Sequence, residues 1–102
     1  MLMNGMRPVH PGEILREEYL EPLGMSVNAL ARALHLTATR LNDIVREKRG
    51  VTPDTALRLA HYFGTTPEFW LNLQMMHELR KAAEEEGELI KETIRPLEME
   101  AA

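Results

Sequence analysis

Between residues 26 and 45 the apolar positions form two short stripes, Leu30, Ala31 and Leu34, then Leu41, Ile44 and Val45. Steps of one, three and four residues place each set on one side of a helix that turns every 3.6 residues. Ser26 precedes the first stripe and Thr37 the second, and each carries a side-chain oxygen that can accept from a free N–H at a helix start. The pattern predicts two short helices. The first ends near Leu34, and His35, Leu36 and Thr37 connect it to the second, with Leu36 turned toward the core. Ala31 falls where the two backbones come closest, a position that needs a small side chain.

Three further helices follow from the same signals. Ile14, Leu15, Tyr19 and Leu20 give a buried side to a helix that opens at His10-Pro11-Gly12, with Pro11 first because the N–H it lacks would be unpaired anyway. Pro22 and Gly24 are expected to stop it. Thr52-Pro53-Asp54 and Thr66-Pro67-Glu68 repeat one helix-start pattern of cap, proline and an acid near the positive end of the helix dipole. Ala56, Leu59, Ala60 and Phe63 form the inner face of the fourth helix, which Gly64 ends. The fifth is expected from Pro67 to about Glu86, where Gly87 breaks it. Its Phe69, Trp70, Leu71, Leu73, Met75, Met76 and Leu79 surround the helix almost completely, more than one buried face can hold. A second copy of the chain is the simplest cover, with Phe69, Trp70, Leu73 and Met76 as the homodimer interface.

Two capped helices joined by a three-residue turn are what a DNA-reading helix-turn-helix requires. His35 occupies a turn position that favours φ > 0 and usually holds glycine, at a cost of about 1 kcal/mol; histidine tolerates that backbone better than β-branched residues. The second helix would lie in the major groove and direct Ala38, Thr39, Arg40 and Asp43 toward bases. Arg40 can clamp guanine O6 and N7, Thr39 and Ala38 can meet a thymine methyl, and Asp43 can accept from cytosine N4. Asp43 is better suited to orient Arg40, three residues earlier on the same face. Asn28, Thr37, Asn42, Arg46, Lys48 and Arg49 are placed to hold phosphates, which sets register and affinity without reading sequence. Val27 stands where a phosphate-bonding polar residue is commoner.

A net charge of −4 argues against a nucleic-acid binder until its distribution is considered. Residues 1–25 carry −2, residues 26–63 carry +3 and residues 64–102 carry −5. The positive excess therefore lies on the helix-turn-helix and the helix after it, and the acidic third would be repelled by phosphates. The 102 residues suit one domain and include no cysteine, which excludes disulfides and Cys-ligated zinc. No apolar run is long enough to span a membrane, and a cytoplasmic protein is expected. His10, His35, His61 and His77 lack metal-ligand spacing, so no metal site is expected. No phosphate loop or nucleophile motif is present, so neither an enzyme nor a cofactor is expected. The Glu13, Glu17, Glu18 and Glu21 group reads as a solvated helix face.

The blocks outside the motif carry a more specific signal. His10-Pro11-Gly12-Glu13-Ile14-Leu15, Glu21-Pro22-Leu23-Gly24, Asp54-Thr55-Ala56-Leu57-Arg58-Leu59-Ala60 and the run Phe63 to Gln74 resemble the HigA-type antitoxins, also labelled virulence-associated protein I, of the Xre-like group. The resemblance spans about residues 8–80. It implies an all-α, compact five-helix domain of the Xre or lambda-repressor type with a C-terminal tail. The expected organisation is a mobile arm over 1–9, a DNA-binding domain over 10–86 with its motif at 26–46 and dimerisation helix at 67–86, and an acidic tail over 87–102. It further implies a dimer that binds double-stranded operator DNA at paired half-sites, represses its own operon and neutralises a HigB-type, mRNA-cleaving toxin. Val27 and His35 depart from the family's usual Gln and Gly. The alternatives are a stand-alone repressor, or a protein-binding module whose DNA binding has decayed.

Overall fold

The structure, a computed structural model, describes residues 9–98, where five helical segments and no strand are found. The expected arm therefore lies outside the described residues except for Val9.

The first segment, α1, consists of three contiguous pieces, Pro11–Ile14, Leu15–Leu20 and Glu21–Leu23. His10 caps it, with its Nδ1 accepting from the Gly12 N–H at 2.8 Å. Pro22 does not end this helix but alters its winding. Lacking an N–H, and with a ring that crowds the carbonyl four residues back, it cannot follow a regular α-turn. The preceding turn widens accordingly to π-type bonding, with Glu21 N–H reaching Arg16 O. The stop is Gly24, left-handed at φ +62°.

The second helix, α2, is Val27–Leu34 and the third, α3, is Ala38–Val45. Ser26 caps α2 by accepting from Ala29 N–H at 3.0 Å, and Thr37 caps α3 by accepting from Arg40 N–H at 3.1 Å. The fourth, α4, is Pro53–Phe63, capped by Thr52 and ended by left-handed Gly64. Thr66 caps α5, which spans Pro67–Thr93.

The end of α5 differs from expectation. Gly87 costs a helix interior only about 1 kcal/mol, and it lies between Lys81–Glu86 and Glu88–Glu92, both rich in strong helix formers. The helix therefore runs through Gly87 and ends ahead of Pro96, which disfavours helical backbone in the residue before it. At 27 residues α5 is about 40 Å long, which accounts for a molecule 56 Å along one axis and under 30 Å along the others. From Lys81 to Thr93 every side chain is exposed, and Gly87 is partly buried. No helix among the described residues is long and apolar enough to cross a membrane.

The core joins Leu15 and Leu20 of α1, Leu30, Ala31 and Leu34 of α2, Leu41, Ile44 and Val45 of α3, Ala56, Leu59 and Ala60 of α4, and Trp70 of α5. Each short helix thus buries the stripe predicted for it. Trp70 is fully buried, stacks at a tilt 5.3 Å from Tyr19 and donates its indole N–H to Thr65 Oγ1 at 2.8 Å. It belongs to the protomer's own core, so its assignment to a dimer interface is corrected. Its large ring and single donor are both satisfied inside the domain. Gly12 allows the approach of α1 to α3, because a Cβ there would lie 1.8 Å from the Ile44 carbonyl oxygen.

Candidate nucleic-acid interface

The turn between α2 and α3 adopts the geometry that its sequence implied. His35 is left-handed at φ +59°, ψ +42°, and its N–H and that of Leu36 reach back to Arg32 O and Ala31 O. This places orphan carbonyls at the end of α2 in hydrogen bonds while Leu36 packs against the core. Arg58, on α4, adds a clamp from outside the motif. Its Nη1 donates to Leu34 O at 2.9 Å and His35 O at 3.3 Å, while its Nε donates to Asp54 Oδ2 at 3.0 Å. A guanidinium at the negative end of α2 is favourable on electrostatic grounds.

The far end of α3 is held in a comparable way. Arg16 on α1 donates through Nη1 to Val45 O at 2.6 Å and through Nη2 to Glu47, whose backbone is left-handed at φ +63°. Gln74 on α5 accepts from Val51 N–H at 2.8 Å and so tethers the connection from α3 to α4, the basic loop that carries Arg46, Lys48 and Arg49. None of Arg58, Arg16 and Gln74 was identified from sequence as part of this interface. Arg58 lies inside a recognisable block, but the two carbonyls it holds are 24 and 23 residues away, and no local pattern reveals such a contact.

What this frame presents is the outer side of α3. Ala38, Thr39 and Asn42 are exposed and Asp43 is half-buried, with Arg46, Lys48 and Arg49 exposed just beyond. Asn28 and Thr37 are exposed at the starts of α2 and α3. Thr37 accepts the capping bond through its oxygen and keeps its O–H to donate. Two predicted partners are not brought together. Asp43 lies 3.7 Å from Arg49, and Arg40 turns away to the start of α4, where Nη2 donates to Thr52 Oγ1 at 3.0 Å and Thr55 Oγ1 at 2.8 Å. Asp43 therefore anchors the basic loop instead of orienting Arg40. The physical reason is competition: Arg40 finds hydroxyl acceptors and the Asp54 carboxylate, 3.7 Å away, on a neighbouring helix.

His10 lies behind this interface. It is buried, with its ring edge to face with His77 at 5.0 Å. Burial holds its pKa below 6.5, helped by His77 and Arg16 and opposed by Glu47 and Glu78. Its Nδ1 accepts the cap bond in the neutral form, which is the form that burial favours.

Two capped helices joined through a left-handed residue, with a polar face outward and basic residues at its end, define a helix-turn-helix protein. The helix-turn-helix family model matches residues 17–70. Virulence-associated protein I of Dichelobacter nodosus is 56% identical over 82 residues, which is 80% of this chain and 76% of that protein. Among solved structures, antitoxin GraA is 52% identical with a TM-score of 0.89, covering 91% of this chain and all of its own. The Pseudomonas aeruginosa antitoxin HigA, solved with the higBA promoter, is 50% identical with a TM-score of 0.88, covering 90% and 100%. The chain belongs to the helix-turn-helix family, in the group that includes virulence-associated protein I and the HigA antitoxins.

Proposed function

We propose that this chain is a DNA-binding antitoxin that represses its own operon as a dimer and neutralises a HigB-type, mRNA-cleaving toxin by direct binding. The observation that carries this is the exposed polar side of α3, held between clamped ends in a fold shared with an antitoxin solved on promoter DNA. In this reading α3 enters the major groove, with Ala38, Thr39 and Asp43 against base edges. Asn28, Thr37, Asn42, Arg46, Lys48 and Arg49 hold phosphates on either side. The dimer forms through α5, with Phe69, Leu73 and Met76 at its centre and exposed Leu79 extending the patch. The acidic first helix or acidic C-terminal third faces a basic toxin, and a cytoplasmic location fits these partners.

The test is a fluorescence-anisotropy titration of DNA from upstream of this gene against scrambled DNA at several salt concentrations. Tight binding confined to the upstream DNA, weakening steeply with salt, is the expected result. Equal, weak binding to both would remove the repressor role. Co-purification with the product of an adjacent gene for a small basic protein, together with relief of its ribonuclease activity, is expected of an antitoxin. A stand-alone repressor would bind the DNA and leave that activity unchanged.

A further inference from the structure

Arg40 lies on the recognition helix, where an arginine would ordinarily be assigned to a guanine. Its geometry points elsewhere. A guanidinium clamps guanine with two neighbouring N–H groups, and Nη2 belongs to both of the donor pairs it can present. In this chain Nη2 sits between Thr52 Oγ1 at 3.0 Å and Thr55 Oγ1 at 2.8 Å, with Asp54 Oδ2 at 3.7 Å. Clamping guanine would need an Nη2 hydrogen as well, and so competes with that arrangement.

The acceptors are themselves well fixed. Thr55 is fully buried, its hydroxyl lies 3.3 Å from that of Thr52, and Thr52 Oγ1 also caps α4. A cation beside the positive end of α4 is electrostatically unfavourable by itself, so the three oxygens are what hold it there. Asp54 meanwhile contacts Arg58, whose other donors hold the Leu34 and His35 carbonyls. One turn of α4 thus grips the recognition helix through Arg40 and the turn before it through Arg58.

Resting on the DNA-binding reading above, we infer that Arg40 is a positioning residue that sets the angle of α3 against α4, and that base discrimination falls to exposed neighbours such as Thr39 and Asn42. Asn42 lies on the outer side of α3 and can pair with adenine N6 and N7 as well as hold a phosphate.

The experiment measures binding of the upstream operator and of a set carrying each single base-pair change, using wild type, Arg40→Ala, Thr55→Val, their double variant and Asp54→Ala. Circular dichroism monitors folding. A positioning role predicts that Arg40→Ala and Thr55→Val weaken binding by a common factor across the whole set. The order of base preference stays the same, and the double variant is little worse than either single one. Thr55→Ser, which keeps the hydroxyl, retains wild-type affinity. Asp54→Ala gives an independent sign because its side chain is exposed and the variant is expected to fold. Removing an acid should tighten DNA binding through charge alone, whereas loss of the grip weakens it.

The inference is overturned if Arg40→Ala erases the preference at one base pair per half-site by about ten-fold while other positions keep theirs. It is equally overturned if Thr55→Val and Asp54→Ala leave affinity unchanged or raise it. A wild-type protein that does not distinguish the operator from scrambled DNA overturns the DNA-binding reading, and this inference with it.

Discussion

His35 sits in the left-handed region with φ +59° and no glycine to relieve it. An L-residue there costs about 1–2 kcal/mol, of which glycine returns part through its own loss of chain entropy. His35→Gly is therefore expected to stabilise the domain by about 0.5–1 kcal/mol, seen as a higher urea midpoint with unchanged slope. A lower midpoint would mean that the exposed imidazole contributes more than its backbone strain removes. His10 makes the opposite kind of contribution, since its neutral ring caps α1. Its folded pKa lies below 6.5, so the unfolded chain takes up a proton that the native state resists. This contribution is complete above the unfolded pKa and is lost as pH falls from there toward the folded value. Urea midpoints measured from pH 8 to pH 5.5 should fall over the acidic part of the series. His10→Asn keeps a capping acceptor without titrating and should flatten that fall.

At the scale of elements, the helices differ in what supports them. The eight residues of α2 and of α3 are too few to be stable in water alone. They persist because each buries a stripe and has both ends tied, by Ser26, Thr37, Arg16 and Arg58. The distal part of α5 has the opposite character, with strong local propensity and exposed side chains. It is expected to open locally well below the global unfolding free energy. A Cβ at Gly87 would meet nothing within 4 Å. Gly87→Ala should therefore stabilise this segment by about 1 kcal/mol, slowing amide exchange over residues 82–93 several-fold and leaving the thermal midpoint of the core unchanged. Unaltered exchange in that segment would show that something other than intrinsic propensity maintains it.

On the whole-molecule scale, charge and exposed apolar surface are segregated. The basic segment surrounds the turn and α3, while α5 carries acids on its flanks and Leu79, Leu89 and Ile90 exposed along its length. A dimer through α5 would keep both recognition helices available to half-sites about one DNA turn apart. Sedimentation at tens of micromolar is expected to give the mass of two chains. Leu79→Glu, at a position 59% exposed in the protomer, should shift it to one chain without altering the helical spectrum. That monomer should bind a paired operator much more weakly than wild type, by loss of linkage between half-sites. A monomeric wild type would place the exposed apolar residues of α5 in some other contact.

Where each helix begins was legible in the sequence, because caps, prolines and first-turn acids act within four residues of one another. So were the inward stripes of α2, α3 and α4, and the left-handed turn at His35. What the tertiary structure alone decided depends on neighbours distant in the chain. Trp70 belongs to the core because Tyr19 and Phe63 close around it, although its helix displays apolar residues on nearly every side. Gly12 is required by the Ile44 carbonyl, and the Arg40 guanidinium is drawn to hydroxyls twelve and fifteen residues farther along the chain. Local propensity is written in adjacent residues, whereas the partner of a long charged side chain is chosen by whichever acceptors folding brings within its reach.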